Sequence, residues 1–71
     1  MKEFKLRPDD EFIKLGQLLK ASGLTGSGVE SKTVILDGKV KVNDEVSLER
    51  GKKIREGDTV KYNSEEIKVI R

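Results

Sequence analysis

Apolar and polar positions follow two different periods along this chain. Glu3-Phe4-Lys5-Leu6 alternates polar with apolar, which predicts a short half-buried strand, and Pro8-Asp9-Asp10 turns the chain after it. The period then changes. Leu15, Leu18 and Leu19 recur at i, i+3 and i+4, Ala21 and Ser22 extend that side, and Gly16, Gln17 and Lys20 face outward. This spacing predicts a helix with one apolar stripe. Gly23 suits the left-handed position that closes a helix, and Leu24 behind it can pack back on the last turn.

A second helix is predicted from Ser27 to about Asp37, with Gly38 ending it. Ser27-Gly28-Val29-Glu30 has the S-x-x-E form of a capping box, in which Ser27 accepts from the Glu30 amide and Glu30 reaches back. Its apolar residues Val29, Val34, Ile35 and Leu36 make no clean stripe. Beyond Gly38 the period returns to two. Lys39-Val40-Lys41-Val42-Asn43 reads as a strand with valines inward and lysines outward, and Asn43-Asp44 as a turn. Val46 and Leu48 continue in extended form. Gly57-Asp58 turns the chain into Thr59-Val60-Lys61-Tyr62, and Asn63-Ser64 turns it into Glu66-Ile67-Lys68-Val69-Ile70. These last two segments form an expected hairpin, with Val60, Tyr62, Ile67 and Val69 as core residues. The order of strand, two helices and several strands predicts an α+β fold.

The chain has 71 residues, which sets one small domain as the expectation. Such a domain buries roughly 60% of the surface of its unfolded chain, so leucine, isoleucine and valine must hold it together. There is no cysteine for a disulfide and no histidine to help hold a metal. No metal site and no cofactor are expected. Nothing at the N-terminus reads as a secretory signal, and no apolar run approaches the roughly 18 residues needed to cross a bilayer. A soluble cytoplasmic monomer is the expectation, with no membrane association.

Catalytic chemistry has little support. Serines stand at 22, 27, 31, 47 and 64, but no histidine or cysteine can activate them. Asp9-Asp10-Glu11 reads as a solvated turn, and Glu65-Glu66 as hairpin charge. Gly26-Ser27-Gly28 is too short for a phosphate-binding loop. A non-enzyme is expected.

Charge is informative only locally. The formal net charge is +2, from 15 basic and 13 acidic residues. Between Glu49 and Arg55, however, four cations stand with one anion, and Arg50 to Arg55 contains no acid. Gly51 within this run lets a ligand approach the backbone. Lys39 and Lys41 lie on one strand face. Such a cluster either solubilises a surface or holds a polyanion through its phosphates. Phe4, Phe12 and Tyr62 are the only aromatics and are expected in the core, so stacking on unpaired bases is not indicated.

Several motifs stand in a familiar order. Leu18-Leu19-Lys20-Ala21-Ser22-Gly23 is followed by Ser27-Gly28 opening a helix with Lys32. Then come Gly38-Lys39-Val40-Lys41-Val42-Asn43-Asp44-Glu45, Arg50-Gly51-Lys52-Lys53-Ile54 and Gly57-Asp58-Thr59-Val60. The chain resembles the S4-like RNA-binding domain family, above all its small stand-alone bacterial members. The resemblance covers residues 12–62, with flanking strands at 3–6 and 66–70, inside one domain spanning 1–71. It implies the S4-like (αL) fold, with two short N-terminal helices packed on a small, mainly antiparallel sheet.

The resemblance further implies a module that holds structured RNA, ribosomal or transfer, and that is associated with the ribosome. The positions it carries over are Lys20, Ser27, Lys32, Lys39, Lys41, Asn43, Arg50, Lys52 and Lys53, expected to converge on one electropositive ledge. Gly28 stands where many members have arginine, and Ser31 where a small apolar residue is common. Two rivals remain. One is a protein-interaction module docking on a ribonucleoprotein assembly through the same cations. The other is a β-grasp ubiquitin-like protein, although the chain ends Val69-Ile70-Arg71 without the reactive Gly-Gly tail.

Overall fold

The computed structural model describes residues 2–71; Met1, the first residue of the expected domain, lies outside the described residues. In chain order the elements are β1 (Lys2–Lys5), β2 (Ile13–Lys14), α1 (Leu15–Ala21), α2 (Gly28–Leu36), β3 (Val40–Val42), β4 (Glu45–Val46), β5 (Lys53–Ile54), β6 (Thr59–Tyr62) and β7 (Glu65–Ile70). The hairpin of β6 and β7 is the centre of a five-stranded sheet ordered β1-β7-β6-β3-β4. Among the described residues only β1 with β7 is parallel; the other pairs are antiparallel. This is the α+β, mainly antiparallel architecture expected from the sequence.

Strand alternation decides which side of the sheet is dry. Val40, Val42, Val60, Ile67 and Val69 face the helices and are buried, as is Leu6 just beyond β1. Leu15, Leu18 and Leu19 of α1 and Val34 and Ile35 of α2 close the core from above. Tyr62 and Phe4 pack half-buried against it. Lys41, Lys61 and Glu66 are neighbours by register on the opposite, solvent face.

Both helices end as their glycines predict. The Gly23 amide donates to Lys20 O (3.1 Å) and Leu24 N to Leu19 O (3.0 Å); Gly38 N donates to Ile35 O (3.0 Å) and Lys39 N to Val34 O (3.1 Å). Gly23 and Gly38 sit at φ +80° and +74°, where a side chain would be strained. This pairing of bonds is the Schellman closure, and Leu24 folds back on the core behind the first of them.

Several sequence expectations need correction. The buried side of α2 is Ser31, Val34 and Ile35, at i, i+3 and i+4. Val29 and Leu36 lie on the other side, 77% and 59% exposed, which is why the four apolar residues trace no stripe. Ala21 is exposed rather than part of the α1 stripe. Leu48 lies outside any strand and is exposed. The basic run is not all connection, because Lys53–Ile54 forms β5 and pairs antiparallel with β2. That two-residue ribbon buries Ile54 and half-buries Ile13. Phe12, expected in the core, is half-buried at the surface and not part of the core cluster.

Candidate functional site

Helix α1 starts without a side-chain cap. Its N-cap residue is Lys14, which cannot accept from the free amides of the first turn. Those amides are satisfied from a distant loop instead: Leu15 N donates to Lys52 O and Gly16 N to Arg50 O, both at 2.9 Å. The loop is held in shape by Lys52 N donating to Glu49 O (3.2 Å). Arg50 is thereby seated against the start of α1.

Helix α2 reaches the same place from the other side. Ser27 Oγ accepts from Glu30 N at 3.1 Å, which fixes the N-cap. Glu30 does reach back, but to the Gly26 amide rather than that of Ser27. Its carboxylate is thus committed outside the cleft between the helices. That cleft is a groove of about 420 Å³ lined by Lys14, Gly16, Gln17 and Lys20 of the α1 region, Gly28 and Lys32 of α2, and Arg50 and Gly51 of the loop.

Four cations therefore surround three glycines. A Cβ at Gly28 or Gly51 would enter open space, and one at Gly16 would touch Arg50 at 3.5 Å. The bare backbone leaves room for a ligand to come close. Lys14, Lys20, Lys32 and Arg50 are all exposed, and among the described residues none has a carboxylate within 4.0 Å. Such an arrangement is complementary to an extended anion.

The outer face of the sheet is the contrast. Lys61 Nζ lies 3.1 Å from both Asp44 Oδ1 and Glu66 Oε1. The hydrogen bond to Asp44, then that to Glu66, raises the Lys61 ammonium above the ordinary lysine value. Positive charge is answered by carboxylates there and left unanswered in the groove.

The expected ledge does not assemble whole. Lys20, Lys32 and Arg50 come together in the groove, whereas Ser27, next in sequence to the lining Gly28, is not part of the lining and has its hydroxyl engaged in the cap. The remaining five do not line it. Lys41 projects from the solvent face of the sheet, since β3 must turn its valines to the core. Lys39 is exposed past the closure of α2. Asn43 has φ 50° in the β3–β4 turn, and its amide donates to Asp58 Oδ1 (3.0 Å) and accepts from Thr59 N (2.9 Å). Lys52 lines a separate depression with Glu45, Val46 and Glu49. Lys53 stands on the β2–β5 ribbon with its Nζ 5.0 Å from the Phe12 ring centre.

Lys14 and Gln17, which the sequence reading does not single out, line the groove as well. A signal existed: Lys14, Gln17 and Lys20 recur at i, i+3 and i+6, a polar stripe beside the leucine stripe.

A small α+β domain whose helix pair and loop enclose an uncompensated basic groove is thus defined by its own geometry. The family of S4 domains matches residues 4–70, and the chain belongs to it. It is 42% identical over 52 residues to a Bacillus subtilis protein named "Probable ribosome maturation protein RlbA", covering 73% of each chain. It is 34% identical over 58 residues to YbcJ of Escherichia coli, covering 82% of this chain and 83% of that one. The solution structure of YbcJ, described as revealing an αL motif involved in RNA binding, superposes with a TM-score of 0.76 at 32% identity. That superposition covers 100% of this chain and 89% of YbcJ.

Proposed function

We propose that this chain is a non-catalytic RNA-binding module that holds structured RNA by its phosphates in the groove between α1, α2 and the 49–52 loop. The observation that carries the reading is the ring of four carboxylate-free cations, Lys14, Lys20, Lys32 and Arg50, around a glycine floor. The relatives support it, since YbcJ is described with an RNA-binding motif and RlbA is named for ribosome maturation. Ribosomal RNA is accordingly the RNA class proposed, in the cytoplasm. Phosphate contacts position a ligand without reading its bases. Gln17 is the one uncharged polar side chain of the lining, and the cations favour the phosphates, so shape and backbone contacts dominate what is held.

The experiment is fluorescence anisotropy of a structured ribosomal RNA fragment against salt. If four phosphates are neutralised, log affinity falls against log salt with a slope of roughly −3 to −4, or on the order of 100-fold between 50 and 200 mM. The triple variant Lys20→Glu, Lys32→Glu, Arg50→Glu is expected to lose binding with an unchanged thermal melt. Unaltered affinity in that variant overturns the assignment of the groove.

A further inference from the structure

The β2–β5 ribbon turns one face to solvent beside the groove. Lys14 pairs with Lys53 in register, and Phe12 and Arg55 lie two residues from them, just past the Ile13–Ile54 pair that ends the ribbon. Alternation places Phe12, Lys14, Lys53 and Arg55 on one side and Ile13 and Ile54 on the other. The contacts agree, because Lys53 Nζ and Arg55 Cζ lie 5.0 and 5.7 Å from the centre of the Phe12 ring. The face thus carries three cations and one aromatic. Among the described residues none of the three cations has a carboxylate within 4.0 Å.

Two features set Phe12 apart from a misplaced core residue. The ribbon already buries its apolar side through Ile54, and Phe12 is absent from the core cluster. Its surroundings also run into the groove. Lys14 belongs to both surfaces, and Gln17 lines both the groove and the depression beside Phe12. That depression is also lined by the apolar Phe4, Ile13 and Ala21 and by Lys5, Arg7 and one acid, Asp10.

Resting on the RNA-binding reading above, we propose that Phe12 is a stacking platform for one unpaired base next to the helical RNA held in the groove. In this arrangement the base takes the ring face, and Lys53 and Arg55 swing from the ring to the flanking phosphates. Every base has a π-face, so the site selects a duplex–single-strand junction rather than a sequence. Cations already resting on the ring mark its electron-rich face as open to such contacts.

The test compares a blunt RNA hairpin with the same hairpin carrying a short unpaired 3′ tail. Wild type is expected to bind the tailed RNA about tenfold more tightly, within the range of one stacked base. Phe12→Leu, checked by thermal melt for folding, is expected to lose that tenfold gain and keep the blunt affinity. Phe12→Trp is expected to keep the gain. Since the chain has no tryptophan of its own, the introduced indole reports directly, with fluorescence quenched by the tailed RNA and not by the blunt one. If wild type binds both hairpins equally, or Phe12→Leu matches wild type on both, the platform is overturned while the groove stands. If wild type binds neither, the groove reading falls and the platform with it.

Discussion

The amide of Gly16 donates to the carbonyl of Arg50 at 2.9 Å, and with the bond from Leu15 N to Lys52 O it joins the basic loop to the helix whose lysine faces it. A Cβ placed at Gly16 would lie 3.5 Å from both Arg50 Cβ and Arg50 O, which is ordinary contact. A methyl group therefore fits, and the γ-methyls of a branched side chain are expected to crowd the loop. Gly16→Ala is expected to keep stability within about 1 kcal/mol of wild type, because alanine favours the helix and loses nothing else. Gly16→Val is expected to push the loop away and to weaken RNA binding at least tenfold. Titration of both variants with the same structured RNA checks the pair, and equal affinity for the two would show that loop position is not critical.

Ser31 stands where the S4 resemblance led us to expect a small apolar residue, and the fold makes up the difference with Thr25. Both are buried, at 1% and 4% exposure, and their hydroxyls bond to each other. Ser31 Oγ also donates to Ser27 O at 3.1 Å. Removing one partner strands the other without water. Ser31→Ala is expected to cost about 1–3 kcal/mol, whereas Ser31→Ala with Thr25→Val is expected to recover most of it. For a domain of this size each kcal/mol moves the melting point by roughly 4–8 °C. Thermal melts of the two variants decide, and additive losses would show that the hydroxyls act independently.

How much of this was legible depended on whether a feature repeats. The leucines of α1, the valines of β3 and the alternation in β6 and β7 each repeat often enough to show a period. Ser27 with Glu30 is legible for another reason, because a cap is a local pattern. The β2–β5 ribbon has two residues per strand, too few for any period, and its partners are joined only by tertiary bonds. The site divides in the same way. Lys20 and Lys32 were legible as exposed helix cations, and Arg50 as part of an acid-free run. Their meeting point rests on carbonyls of Arg50 and Lys52 serving an uncapped helix, and its only trace in sequence is a lysine at the N-cap. Lys41 does not reach the groove, and the sequence could not show this, because alternation says which residues leave the core and not which side of the molecule they reach.

Asn43 was carried over as an RNA contact, yet its side chain is occupied on both polar atoms. It ties the β3–β4 turn to Asp58 and Thr59, and its own amide donates to Thr59 O at 2.7 Å. Asn43→Ala loses two side-chain bonds and places alanine at φ 50°. The expected cost is about 1–3 kcal/mol, part of it backbone strain. Asn43→Gly removes the strain and is expected to cost less. Denaturant midpoints measure both, and RNA affinity at saturating fold is expected within about twofold of wild type. A larger loss of affinity in Asn43→Gly would place this residue on the binding surface.

Lys61 supplies the pH dependence. Asp44 and Glu66 each hydrogen bond its ammonium at 3.1 Å and hold its ionisation above the ordinary lysine value near 10.5. Protons are then bound more tightly in the folded chain than in the unfolded one. The stabilisation is therefore fully present below the ordinary value and is lost as pH rises through the higher folded value. The side chain is solvent-accessible, so the effect is small and screened by salt. Lys61→Met is expected to melt below wild type at neutral pH and low ionic strength. The gap is expected to narrow only once pH passes about 10.5, and to shrink as salt is added at constant pH. Melting both proteins side by side across that alkaline range measures it. A gap that persists unchanged beyond the folded ionisation would assign the role of Lys61 to its aliphatic stem rather than to its charge.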